Sequence, residues 1–129
     1  MIGYVTIGTN DIDAARSYYA ALLGSIGAQE LMRLEENGFT MFGTGWEAPL
    51  VAVTRPHDGN PATPGNGQMV GLAMESRAKV DALHAKALEL GGSDEGAPGI
   101  REPAEMNFYA AYFRDPDGNK LAAFYTGPE

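Results

Sequence analysis

Residues 11–27, DIDAARSYYAALLGSIG, and residues 76–92, SRAKVDALHAKALELGG, align at a constant offset of 65 positions without a gap. In the first segment Ile12, Ala15, Tyr18, Tyr19, Leu22, Leu23 and Ile26 recur at three- and four-residue steps; Val80, Leu83, Ala87 and Leu90 do so in the second. That spacing marks an amphipathic helix whose apolar stripe has to be buried. Asn10 is the expected N-cap of the first helix and Ser76 of the second, and glycines (Gly24 and Gly27, then Gly91-Gly92) close them. A strand-like run precedes each helix, VTIGT (5–9) and MVGLAM (69–74). The chain is therefore expected to build one plan twice.

Three further strand-like runs follow the first helix: QELMRLE (29–35), GFTMFG (38–43) and PLVAVTR (49–55). The order is β-α-β-β-β. After the second helix, SDEGAPGIREPAE is poorly patterned, with a short strand expected near Gly99–Glu102. NFYAAYFR and NKLAAFYT then flank Asp-Pro-Asp-Gly, in which Pro presets φ and Gly supplies positive φ for a tight turn. Met41-Phe42 aligns with Tyr112-Phe113 at an offset of 71, which places Val51 opposite Ala122. The segment PHDGNPATPGNGQ (56–68) reads as a linker. These features predict a single α+β domain over 1–129: module one to about 56, linker to about 67, module two from about 68.

Composition narrows the function. With 44% hydrophobic and 20% charged residues, a chain of 129 residues is long enough to bury a core. No apolar run reaches the roughly eighteen residues of a membrane span, and MIGYVTIGTND does not resemble a secretory leader, so a cytoplasmic location is expected. A net charge of −8 argues against nucleic acid as a partner and would favour a cationic ligand. There is no cysteine, which removes thiolate chemistry. Of the two histidines, His84 is expected on the solvated side of the second helix, and His57 in the linker beside Asp58. Glu30, Glu75 and Glu105 are expected to be exposed. No Gly-x-Ser-x-Gly elbow is present.

VTIGTNDIDAARSYYAALLG and YAAYFRDPDGNKLAAFY, set around this internal repeat, resemble the opening and closing motifs of the vicinal oxygen chelate superfamily. That superfamily includes glyoxalase I, extradiol dioxygenases, and the bleomycin and fosfomycin resistance proteins; the linker is similar to a glyoxalase-like bacterial branch. The resemblance covers the whole chain. It implies two βαβββ modules, each curling its sheet into a half-barrel, around a cleft. It also implies a divalent metal held by His, Glu or Gln from the first and last strand of each module. Carried over by position, those four places are Tyr4, Val51, Met69 and Ala122. Valine and alanine offer no donor, and thioether suits soft metals. No metal or other cofactor is expected.

Side-chain alternation places Val5, Ile7, Val70 and Leu72 against the helices and Tyr4, Thr6, Met69, Gly71 and Ala73 on the other face. The expected ligand-binding set is Tyr4, Thr6, Val51, Val53, Arg55, Met69, Ala122 and Phe124, with Trp46 as a rim aromatic. Mostly apolar, it suits a small organic ligand, aromatic or cationic, in a metal-free binding protein. The alternative is an enzyme, a lyase or isomerase related to lactoylglutathione lyase. Such an enzyme would use Tyr4, Tyr109 or Tyr112 as acid or base, or noncanonical metal ligands. A homodimer is expected from the resemblance, since family members often pair.

Overall fold

A computed structural model describes all 129 residues, in the order β1 (Tyr4–Gly8), α1 (Ile12–Gly24), β2 (Gln29–Arg33), β3 (Thr40–Gly43), β4 (Leu50–Thr54), β5 (Val70–Ala73), α2 (Arg77–Glu89), β6 (Ser93–Ile100), β7 (Phe108–Arg114) and β8 (Lys120–Thr126). The chain divides into two compact units, Met1–Pro64 and Gly65–Glu129. Each holds one helix and one four-stranded mixed sheet, ordered β1-β4-β3-β2 and β5-β8-β7-β6. In each, the first and last strands pair in parallel and the rest antiparallel. The α+β architecture of two βαβββ modules is thus present.

In module one the apolar stripe of α1 is buried as its spacing requires, with Ile12, Ala15, Tyr19, Leu22 and Leu23 all under a tenth exposed. The N-cap is Asp11, not Asn10: its side chain accepts the Ala14 N–H at 3.1 Å. Arg16 fastens the helix to the sheet, donating from Nε to Thr40 Oγ1 at 2.7 Å and from Nη2 to the Gly38 carbonyl at 3.1 Å. Gly38 is required where it stands. Its φ is +73°, and a Cβ there would lie 2.5 Å from Ile12 Cγ1.

Module two follows the same plan, with Ser76 accepting the Lys79 N–H at 3.2 Å as the N-cap of α2. Two expectations change here. The poorly patterned segment forms the eight-residue strand β6, whose pairing with β7 is broken by irregularities between Asp94 and Gly99; those breaks erase the two-residue alternation in the sequence. Because β6 packs against α2, the helix has a wider covered face than its apolar stripe suggests. His84 therefore lies buried at 7% exposure, with Nε2 2.9 Å from Asp94 Oδ1. The Asp94 carboxyl is held below its usual range, first by the Gly96 backbone N–H and then by His84.

Candidate functional site

Pairing decides which face each strand residue occupies. In module one Tyr4, Thr6 and Gly8 stand opposite Leu50, Ala52 and Thr54, whereas Val5 and Ile7 stand opposite Val51 and Val53. Paired residues share a face, so the Tyr4 face is lined by Leu50, Ala52 and Thr54. Val51 and Val53 lie on the helix side, and their expected place in the ligand set is wrong. The error arises in the hairpins. Phe42 pairs with Val51 and Phe113 with Leu121, so the offset of 71 on the penultimate strands becomes 70 on the last. Residues 44–49 connect β3 to β4, one more than the five residues 115–119 between β7 and β8. The equivalent of Ala122 is Ala52.

The open face of module one carries a small apolar cluster of Met41, Leu50 and Ala52, against which Leu31, Met32 and Phe39 pack. Above it lies a hollow of about 1000 Å³, floored by Tyr4, Met32, Leu34, Phe39 and Met41. Tyr4 is 56% exposed and meets Phe39 edge-on, with ring centroids 6.1 Å apart. The lining also includes the polar side chains of Thr6, Thr54, Arg55, Glu36 and Asn37. Of the expected set, Tyr4, Thr6 and Arg55 therefore converge. Trp46 is 61% exposed and does not line the hollow.

One wall was not expected. His57, Asp58, Pro61, Ala62 and Thr63, assigned to a linker, line the hollow beside β1. Asn10 holds them there: its Oδ1 accepts the Ala62 N–H at 2.7 Å and its Nδ2 donates to the Ala62 carbonyl at 3.0 Å. The close approach also needs Gly8, where a Cβ would sit 3.3 Å from the Ala62 methyl. Asp58 folds back onto its own turn, accepting the Asn60 N–H at 2.9 Å, which lowers its carboxyl below the usual range. Replacing Asn10 by alanine is expected to speed amide exchange across residues 58–63 by about tenfold while costing only about 1 kcal/mol globally. Unchanged exchange in that segment would show that Asn10 does not hold the wall.

In module two Met69 precedes β5 at 48% exposure, and Gly71 and Ala73 pair with Ala122 and Phe124, so the expected parity holds. Tyr112 pairs with Ala122 and shares that face, its ring flanked by Arg101 at 5.1 Å and Lys120 at 5.4 Å. Tyr109 is on the other face. Its hydroxyl donates to Asp81 of α2 at 2.6 Å, a bond that raises its pKa above the usual phenol value. A phenol held so is ill suited to act as a base.

The metal implied by the resemblance would need donors at Tyr4, Ala52, Met69 and Ala122. Ala52 and Ala122 are buried methyl groups at 0% and 2% exposure, without a donor atom. No three His, Asp or Glu side chains gather elsewhere in the chain. The residues do not fit the metal that the resemblance implies.

Comparison with known proteins agrees with the architecture. The family described as the glyoxalase/bleomycin resistance protein/dioxygenase superfamily matches residues 1–123. A glyoxalase/bleomycin resistance protein from Albidiferax ferrireducens T118 has a similar structure, with 36% identity, coverage of 97% of this chain and 98% of that one, and a TM-score of 0.85. A family enzyme from Burkholderia phytofirmans PsJN shares the fold at 21% identity, 97% and 98% coverage, and a TM-score of 0.77. So does a lactoylglutathione lyase from Agrobacterium tumefaciens at 19% identity, 97% and 92% coverage, and a TM-score of 0.70. No curated protein matches the sequence. With its repeated modules and a match across nearly its whole length, the chain belongs to the glyoxalase/bleomycin resistance protein/dioxygenase superfamily.

Proposed function

We propose that this protein binds a small organic molecule on the open face of module one, without a divalent metal. The observation that carries the reading is the hollow of about 1000 Å³, in which the apolar side chains of Met32, Leu34, Phe39 and Met41 lie beside a set of polar ones that includes Thr6, Asn37 and Arg55. That size and that mixture of surface suit a ligand with an apolar body and few polar atoms. Tyr4 supports it: the hydroxyl has no partner within the chain and the ring is left uncovered. A metal-dependent lyase has less support, since Ala52 and Ala122 supply no ligand atom.

Naphthylacetamide, a neutral compound with an aromatic body, provides a test. Titration followed by two-dimensional NMR is expected to give saturable shifts at Tyr4, Phe39 and Met41. Phe39→Ala should weaken the affinity by about tenfold through loss of an aromatic contact and apolar area. Absence of saturable shifts at these residues across a panel of aromatic compounds would overturn the reading. Stoichiometric bound metal together with turnover of a methylglyoxal–thiol adduct would overturn its metal-free part.

A further inference from the structure

The chain has nine lysines and arginines against seventeen aspartates and glutamates. Eight of the nine basic side chains are engaged. Arg16, Arg33, Arg77, Lys79, Lys86 and Arg114 form ion pairs, and Arg101 and Lys120 lie on the Tyr112 ring. Arg55 is the exception. Its guanidinium has no ion pair, hydrogen bond or aromatic contact, although an acidic chain offers partners in plenty.

Arg55 is exposed at the end of β4. The backbone is fixed on both sides: the Arg55 N–H donates to the Asn37 carbonyl at 3.0 Å, and Thr54 Oγ1 donates to the Arg55 carbonyl at 2.8 Å. Pro56 follows and restricts the chain further. Asp58 and Glu36 line the same hollow, yet neither pairs with Arg55; Asp58 is turned onto the Asn60 N–H. The Asn37 carboxamide likewise has no partner within the chain. Both Arg55 and Asn37 line the large hollow and also a smaller one of about 350 Å³, which Asn10, Pro56 and Asn60 line as well.

We propose that the ligand of this hollow is an organic acid, whose carboxylate pairs with Arg55 while its apolar body lies on Phe39 and Met41. The inference rests on the binding reading above and adds the charge of the ligand to it. A guanidinium presents a planar fork of N–H donors that matches a carboxylate, and Asn37 can add a further donor. The acidic composition that pointed to a cationic ligand describes the chain as a whole; within the hollow Arg55 is the unengaged cation, set alongside Glu36 and Asp58, and the sign of the ligand is what the comparison below reads.

Naphthylacetate and naphthylacetamide share an apolar body and differ in charge, so their comparison isolates the role of Arg55. Calorimetric titration of the wild-type protein at low salt is expected to favour the carboxylate by about tenfold, with the preference shrinking as salt is added. In Arg55→Gln the ratio should fall to near unity, and in Arg55→Lys part of it should remain. Thermal unfolding of both variants checks that the fold is intact. Equal affinities in the wild type, a preference that survives Arg55→Gln, or tighter binding of a naphthyl trimethylammonium would overturn the inference while leaving the binding reading in place. Binding of none of the three would overturn both.

Discussion

Leu22→Ala is expected to lower stability by about 3 kcal/mol and the melting temperature by about 10 °C. Leu22 is fully buried at 0% exposure, on the stripe that α1 presses against its sheet together with Tyr19 and Leu23. Truncation removes the transfer free energy of the lost carbons and leaves a cavity that rigid neighbours cannot refill. Ser17 on the same helix is exposed, and Ser17→Ala should stay within about 0.5 kcal/mol. Urea unfolding of both variants makes the comparison. A loss below about 1 kcal/mol for Leu22→Ala would mean that α1 does not bury its stripe as the spacing demands.

The same stripe explains why so much of the fold is legible in the sequence. Period alone identifies both helices, and two copies of one period at a fixed offset impose two copies of one module. Where the legibility fails, a residue count fails. A parity argument carries along a strand but cannot cross a loop of unknown length. The offset of 71 was sound up to Phe42 and Phe113, and the extra residue in 44–49 then turned Val51 and Val53 to the helix side. In module two no loop intervened between MVGLAM and its parity, and Gly71 and Ala73 fall where alternation places them. Strand β6 was obscured by its irregular pairing, and with it the burial of His84.

The site was legible in its strand residues and not in its wall. Tyr4, Thr6 and Arg55 follow from alternation and from the end of β4. The segment from His57 to Thr63 has the composition of a linker, and nothing local says that it docks. What docks it is a pair of hydrogen bonds spanning 52 positions, from Asn10 to Ala62. The available signal was Asn10 itself, which looked like a helix cap while Asp11 took that role. Two adjacent residues able to cap one helix leave one of them available for something else.

Asp115→Ala should cost about 2 kcal/mol, because Asp115 organises the turn that joins β7 to β8. Asp115 is buried at 4% exposure, and its Oδ1 accepts the N–H groups of Asp117 at 3.0 Å and Asn119 at 2.9 Å. The Asn119 carboxamide donates to Oδ2 at 3.0 Å, and Gly118 takes the positive φ of +93° that closes the turn. Alanine would leave these donors unpaired at the point that sets the β7–β8 register. Asp115→Asn keeps one acceptor oxygen and should cost roughly half as much. Equal losses for the two variants would show that the single acceptor oxygen kept by asparagine does not hold the turn, and that the carboxylate is needed as a whole. A shift of the β7–β8 pairing in Asp115→Ala, read from cross-strand NMR contacts, would be the stronger outcome. A slip of one residue carries Ala122 to the opposite face and brings Leu121 or Ala123 into its place, as the longer connection in module one does for Val51 and Ala52.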